Sequence, residues 1–508
     1  MFARTYGSTT LGVNGVLIDV EVDVSRGLPR FDIVGLPDAA VKEARERVRT
    51  AIKNSGIKLP PGKITINLAP ADIKKDSSGL DLPMAVGLLI AEGILPEAAC
   101  QESLFAAELS LEGELRSIQG LLPMAVNALN QGIKKLFVAS ENVSEALLVK
   151  DLPVYTAKNL AQLIDFLTGK EDLEKAVSIP DLPTENSLIA EDFADVQGQF
   201  MAKRALEIAA AGGHNVLMIG VPGSGKTMLA RRMSSILPPL TETEALEVTK
   251  IYSVAGMLPE NSGLIANRPF RSPHHTITVA GMIGGGTIPK PGEVTLSHDG
   301  VLFLDELPEF NKAALEVLRQ PLEDGIICIS RVHAAISFPA RIMLIASMNP
   351  CPCGFCGDEI HPCTCTTNEI RRYTKKISGP LLDRIDIHIR VPRVEYKDML
   401  NPVPAESSAV IRSRVERARH IQTERLQKYK IFCNAQMSHS MIKKICPLTE
   451  AAQLLLEQVF EKMRLSARSY DRIIKVARTI ADLDNVPTLE DRHIAEAIQL
   501  RNDIGLGS

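Results

Sequence analysis

The chain has 508 residues, and 57 Lys+Arg against 61 Asp+Glu give a net charge of −4. That length predicts about three domains, and 45% apolar with 23% charged residues excludes a mostly disordered chain. Aromatic residues make up only 4% and Trp is absent, which argues against a nucleic-acid reader built on stacking platforms, although a near-neutral total still permits a local basic surface for phosphates.

No apolar run reaches the ~20 residues of a membrane span; the best, Pro83 to Leu95, is interrupted by Glu92. Met1 to Gly7 lacks the apolar stretch of a secretory signal. Of nine cysteines, five fall between Cys351 and Cys365, a pattern of a reducing compartment with a metal candidate and not of a disulfide scaffold. The expectation is a soluble, cytoplasmic protein with no membrane partner.

Apolar residues alternate from Leu11 to Val22, the period of a half-buried strand. A helical pattern over Ala39 to Ser55, a strand pattern over Lys63 to Leu68 and an apolar helix over Leu82 to Glu92 follow, so residues 1–175 read as one mixed α/β domain. The Pro-bearing, acidic stretch Ile179 to Asn186 places a linker over 176–190. From 191 to 395, short β-runs at Asn215 to Ile219, Val301 to Leu304, Ile342 to Ala346 and Ile385 to Val391 alternate with helices, which predicts an open, doubly wound, mainly parallel sheet. A second Pro-bearing loop over 396–408 precedes a wholly helical segment, 409–508.

The sharpest motif is Gly220-Val221-Pro222-Gly223-Ser224-Gly225-Lys226-Thr227, a G-x-x-x-x-G-K-T run directly after a strand and before a helix. In such a loop the glycines let backbone N–H groups converge on phosphates, Lys226 reaches the β/γ-phosphates of ATP, and Thr227 binds Mg²⁺. Its second component is an apolar strand ending in acids, Val301-Leu302-Phe303-Leu304-Asp305-Glu306. Asp305 would hold Mg²⁺ through water, and Glu306 would polarise the attacking water as general base. Paired acids at a strand end suit hydrolysis better than nucleotide storage.

These residues resemble the AAA+ ATPases, and within them the magnesium-chelatase-like branch known as the ComM/YifB family. The resemblance rests on Asp195-Val196-Gln197-Gly198-Gln199, on both phosphate motifs, on Pro291 to Leu296 running into Gly300 to Phe310, and on Ser378-Gly379-Pro380-Leu381-Leu382-Asp383-Arg384-Ile385-Asp386. It implies that Val196 to Gln199 line the adenine pocket, that Asn349 is sensor 1, that Arg384 is an arginine finger inserted at a neighbouring subunit's nucleotide, and that Arg468 is sensor 2. It also implies an AAA+ core with a helical C-terminal lid, assembled as a hexamer.

Lys226 and Asp305 stand 79 positions apart, more than one passage between neighbouring strands needs, so something is inserted. The excess holds Arg268 to Thr276, glycines 284–286 and Lys290, and related ring ATPases point such an insertion into the central pore. Ile326 to Phe338 reads as a β-hairpin with the cationic tip Arg331-Val332-His333. Cationic tips from six subunits would track a phosphate backbone without reading bases. Adjacent His274 and His275 have no nearby acid in sequence and are expected to point apart. Residues 411–430 carry Arg412, Arg414, Arg417, Arg419, Arg425, Lys428 and Lys430, either a solvated helical face or a DNA-contacting one.

Cys351, Cys353, Cys363 and Cys365 form two Cys-x-Cys pairs. Four thiolates suffice for structural Zn²⁺, but the spacing departs from the common C-x₂-C, Cys356 or His361 could replace one member, and free thiols in a structured loop are the alternative. The first domain looks like a Lon-protease-type fold, with Lys74 to Gly79 at the serine segment and Gly120 to Leu122 at the lysine segment. Leu122 stands at the dyad-lysine position and cannot activate a serine hydroxyl, so Ser77 or Ser78 with Lys75 is a poor protease.

Three functions compete. The first is an ATP-hydrolysing hexameric motor on single-stranded or branched DNA, performing helicase and branch-migration work with recombination proteins during natural transformation. The second is a chelatase-like or protein-remodelling ATPase acting on a protein partner, and the third an ATP-dependent protease.

Overall fold

The computed structural model of the chain describes residues 1–75, 78–177, 191–259, 263–286, 289–331, 334–393, 405–463 and 466–502. Most of both expected linkers, the proposed nucleophile Ser77, and Val332 and His333 of the cationic tip lie outside the described residues.

Two sheets organise the molecule. The first has seven strands, in spatial order Arg30–Val34, Lys63–Ala69, Asn14–Ser25, Phe2–Leu11, Ser103–Ala106, Lys135–Val138 and Val154–Thr156. The single strand expected from Leu11 to Val22 is instead the end of one strand and most of the next. Phe2–Leu11 and Asn14–Ser25 pair antiparallel, with Leu11 opposite Asn14. The apolar positions shift from odd (Leu11, Val13) to even (Val16, Ile18, Val20, Val22) just after the tight turn at Gly12 (φ 64°), and that change of phase marks the turn. Helix Asp81–Ala91 is buried at every position, as an all-round apolar helix must be. Its one acid, Asp81, is answered by Arg47 Nε and Nη2 at 2.7 and 3.0 Å and by the Leu109 amide at 3.3 Å.

The second sheet has five parallel strands in the order Phe270–Arg271, Gly300–Leu304, Ile342–Met348, Val216–Ile219, Ile387–Arg390. Phe270–Arg271, counted in sequence as part of a protruding insertion, is an edge strand. Ile219 pairs with Met348 and Leu304 with Ala346, so Gly220, Asp305 and Asn349 all leave the same end of the sheet. Ligands of open α/β sheets bind at that carboxyl end. The Ile326–Arg331 and Ala334–Pro339 hairpin forms as expected.

Helix Ser408–Leu426 opens the helical C-terminal segment and buries Ile411, Val415, Ala418, Gln422 and Leu426, a stripe at three-and-four spacing. Its cations turn inward. Arg412 donates to the Ser235 carbonyl (2.8 Å), Arg414 to Glu207 and to Glu406 (2.7 Å), Arg419 to the Ala210 carbonyl (2.9 Å) and Arg425 to Asp482 (2.8 Å). The most basic stretch of the chain is therefore largely a set of internal anchors, not an open DNA face.

The first sheet's region docks on the second through the Glu242–Ala255 helix. Helix Leu121–Asn130 begins at Gly120 with no side-chain cap, and the half-buried Glu145 carboxylate accepts the Leu122 amide at 2.8 Å in its place. Glu145 also accepts Ser253 Oγ, and the Gly120 amide donates to the Ser253 carbonyl at 3.2 Å. Lys75, the base paired with Ser77 or Ser78 in the protease reading, is fully buried with its ammonium on the Pro70 carbonyl.

Asp386 ties the sheet to the C-terminal helices. It accepts the Asn215 amide at 3.1 Å and is paired with Arg472. Burial disfavours its charge, but Arg472 and His214 outweigh that and hold its pKa well below the usual carboxylate range. A depressed folded-state pKa contributes stability that is complete above the unfolded value of about 4 and is lost as pH falls through the folded value. Asp386→Asn should cost roughly 3–5 kcal/mol at pH 7 by leaving Arg472 uncompensated, and should flatten the acid limb of a urea-unfolding series. An unchanged midpoint at pH 7 would show that Asp386 carries no such role.

Candidate active site

Residues 220–227 connect strand Val216–Ile219 to helix Lys226–Arg231. Gly223 and Gly225 adopt φ of 76° and 88°, a region where side chains are strained, and a Cβ on either would meet no atom within 4 Å. The loop is therefore open toward solvent at both glycines. Lys226 is 9% exposed, and its ammonium donates to the Gly220 and Val221 carbonyls at 2.7 and 3.0 Å and to Asn349 Oδ1 at 3.3 Å. Burial pushes its pKa below the ordinary lysine range, with Asp305 and Glu306 opposing. Ser224 Oγ and Gln199 Oε1 are buried without a hydrogen-bond partner. A cation folded onto its own loop's carbonyls, beside an unpaired hydroxyl able to donate, fits a site built for an anionic ligand, whereas the Gln199 oxygen can only accept, from a donor group.

Thr227 Oγ1 donates to Asp305 Oδ2 at 2.8 Å, and Ser347 Oγ donates to Asp305 Oδ1. A hydroxyl and a carboxylate in contact at a phosphate loop are the oxygen donors Mg²⁺ takes. Glu306 follows with φ 53°, uncommon for a residue with a side chain and frequent at functional sites. Its amide donates to Asp305 Oδ1 (3.1 Å) and Ser347 Oγ (3.3 Å), while its carboxylate is 57% exposed. Ser347 was not singled out in sequence; its place two residues before Asn349 on one strand is the signal that could have found it.

Val196, Gln197 and Gln199 border a cleft of about 120 Å³ with Asp195, Ser224, Gly225, Met228 and Leu229. Of residues 196–199, expected from the resemblance to line an adenine pocket, Gly198 does not border this cleft. Gln199 Nε2 fixes its rim through the Ser224 carbonyl at 3.3 Å and the Pro392 carbonyl.

Arg384 and Arg468 are elsewhere. Both line a larger cleft, about 750 Å³, between the second sheet and the C-terminal helices, and no residue of 220–227 borders it. Arg384 pairs with Glu323 and donates to the Pro380 carbonyl at 2.8 Å, leaving its Nε without a partner. One chain thus brings together Lys226, Thr227, Asp305, Glu306 and Asn349, but not the two arginines.

The insertion also differs from its reading. Arg268 donates to the Pro238 and Asp299 carbonyls (2.8 and 2.7 Å) and to Glu244, and Arg271 makes a bidentate pair with Glu293 at 2.7 and 2.8 Å. Lys290, on the Gly284–Gly285 and Lys290–Pro291 hairpin, stays exposed. His274 and His275 do not point apart. Their ring centroids are 4.0 Å apart, and His275 Nδ1 lies 3.9 Å from Glu306 Oε2.

Cys351, Cys353, Cys363 and Cys365 place their Sγ atoms all within 4.8 Å of one another. Cys356 is exposed and outside this set, and His361 faces Asp358 at 3.1 Å. A second group of metal-capable side chains, Glu247, His298 and Asp299, is closed by Arg341. Its guanidinium donates to Glu247 (2.6 Å) and Asp299 (2.8 Å), and its amide to His298 Nδ1 (3.0 Å). The positive charge a metal would bring is already there.

A family model described as magnesium chelatase, subunit ChlI, matches residues 192–399. Those described as subunit ChlI of Mg-chelatase and as magnesium chelatase, subunit ChlI C-terminal, match 20–142 and 405–501. The chain is 43% identical over 509 residues to Competence protein ComM of Haemophilus influenzae, covering 98% of this chain and 97% of the relative. It is 43% identical to the protein YifB of Escherichia coli, with 97% and 95% covered. Against the magnesium-chelatase 67 kDa subunit of Chlorobaculum parvum it is 27% identical over 165 residues, 31% of this chain and 23% of that one. Among the described residues no helix is long and apolar enough to cross a membrane.

Proposed function

The chain belongs to the ComM/YifB family of magnesium-chelatase-like AAA+ proteins, and from that we propose an ATP-hydrolysing hexameric motor that translocates on DNA, doing helicase and branch-migration work in recombination during natural transformation. The observation that carries the ring is the split just described. Lys226, Asp305 and Glu306 stand at one cleft and Arg384 and Arg468 at another, so a complete site needs the cleft of one copy against the phosphate loop of the next. The competence name of the Haemophilus relative supports DNA as the track, with recombination proteins as further partners.

In this reading the amides of 223–227 and the Lys226 ammonium hold the phosphates of ATP, and Thr227 and Asp305 hold Mg²⁺, whose charge offsets that building on the transferred phosphoryl group. Ser347 fixes the Asp305 carboxylate, Glu306 takes the proton of the attacking water, and Asn349 orients that water. Arg384 and Arg468 of the neighbouring copy approach from outside. Lys290 and the Ile326–Pro339 hairpin are the elements assigned to DNA, Arg268 and Arg271 being spent on internal ion pairs. Zn²⁺ on Cys351, Cys353, Cys363 and Cys365 completes the cofactor set.

ATP turnover with and without forked DNA tests this directly. Stimulation of several-fold that weakens as salt rises is expected, since phosphate contacts release counterions. Turnover raised by a protein partner and indifferent to DNA would select the remodelling alternative.

A further inference from the structure

The loop that carries the cysteine tetrad packs against the phosphate loop through Gly354. Cys351 Sγ lies 3.3 Å from Cys353 Sγ and 3.7 Å from Cys363 Sγ, and Cys353 Sγ lies 3.6 Å from Cys363 Sγ. Tetrahedral thiolates with metal–sulfur bonds of about 2.3 Å sit about 3.8 Å apart along each edge, close to the spacing of these three sulfurs, with Cys365 Sγ within 4.8 Å of each of them. The cage is supported from outside by amide donors. The Cys356 N–H lies 3.3 Å from Cys351 Sγ and the Cys353 N–H 3.4 Å from Cys365 Sγ, the kind of outer contact that orients ligands and offsets thiolate charge.

Gly354 forms the turn between the first pair and Cys356. Its φ is 89°, its amide donates to the Cys351 carbonyl at 3.0 Å, and a Cβ built on it would lie 2.8 Å from both Cγ and Cδ of Pro222. Pro222 is the third residue of the phosphate loop. The same chain segment begins at Asn349, whose Oδ1 accepts from Lys226, two residues before Cys351. On its far side Asp358 is held by Arg393 at 3.4 Å and by His361 at 3.1 Å. The loop is therefore clamped at both ends, and its middle bears on Pro222 with no room for a methyl group.

We propose that the metal bound by Cys351, Cys353, Cys363 and Cys365 sets ATP affinity, by holding the Gly354 turn as the rigid backing of Pro222 and the phosphate loop. This rests on the reading of the tetrad as a zinc site and of 220–227 as the ATP site, and adds a coupling between them. A thiophilic ion is the ligand, and Gly354 and Pro222 are positioning residues that never touch it. Stripping the metal frees the turn, and the amides that converge on the phosphates lose their backing.

The test uses the full chain. Zinc per chain is measured by plasma mass spectrometry, and binding of a fluorescent ATP analogue is titrated before metal removal, after dialysis against a zinc chelator, and after adding Zn²⁺ back. About one zinc per chain is expected, with affinity falling about tenfold or more on removal and recovering on re-addition. Gly354→Ala should keep the zinc and still weaken the analogue, which separates loss of the backing from collapse of the loop. One zinc per chain with unchanged affinity after removal, or wild-type affinity in Gly354→Ala, overturns the coupling while the zinc reading stands. Affinity at full strength with no zinc in any preparation overturns both. Failure of the zinc-loaded chain to bind the analogue overturns the coupling and the ATP-site reading together.

Discussion

Glu306→Gln binds ATP as the parent does and hydrolyses it at least about 100-fold more slowly, the minimum expected when a positioned general base is removed. The amide keeps the shape of the side chain, and the Glu306 N–H contacts to Asp305 and Ser347 come from the backbone, so the phosphate loop and Mg²⁺ donors stay in place. Only proton acceptance is lost. Lys226→Ala differs, because its ammonium is the buried cation facing the Gly220 and Val221 carbonyls and Asn349. That variant should lose nucleotide binding itself. Single-turnover hydrolysis and equilibrium titration of the same preparations separate the two, and a Glu306→Gln chain that turns over at the parental rate would remove Glu306 from the chemistry.

Arg384→Ala retains ATP affinity and loses about 10³-fold in turnover, the lower bound for an arginine finger. The geometry makes a sharper demand. Because Arg384 lines a cleft that no residue of 220–227 borders, an Arg384→Ala chain should have an intact phosphate loop in need of a neighbour's arginine, and a Lys226→Ala chain the reverse. Mixing the two inactive variants in equal amounts should restore turnover at about a quarter of the interfaces, the share in which both halves are intact under random assembly in a ring. Activity that stays absent in the mixture while rings form would mean that Arg384 serves its own chain's nucleotide. Glu323, which pairs with Arg384 in the single chain, would have to yield it at the interface.

How much of this could be read from residues alone varied with how local the signal was. The phosphate loop and Asp305-Glu306 were legible because eight and six consecutive residues carry the chemistry, and a parallel sheet brings their ends together whatever else the chain does. The four members of the tetrad were legible as two Cys-x-Cys pairs, while the packing that leaves Cys356 exposed and turns His361 to Asp358 excludes the two possible substitutes. Charge was misread. Arg268, Arg271, Arg412, Arg414, Arg419 and Arg425 look like an exposed cationic surface when counted, yet their partners come from up to about 209 positions away, as with Arg419 and the Ala210 carbonyl, and no window of sequence holds such pairs. The adjacency of His275 and Glu306 was hidden for the same reason. The Phe2–Leu11 strand is hard to see in sequence because its buried positions are Ala3, Thr5, Gly7, Ser8 and Thr9, with no large apolar residue among them.

The proposed ring, with its active site shared between neighbours and DNA in its pore, is tested most directly by one image. Electron microscopy of the chain with a non-hydrolysed ATP analogue and branched DNA should show six copies around one strand, with Arg384 of each copy at the phosphates held by its neighbour's Lys226 and with Lys290 and the Ile326–Pro339 hairpin facing the pore. Closed rings with an empty pore, in which Arg384 stays on Glu323 while nucleotide fills every phosphate loop, would contradict it.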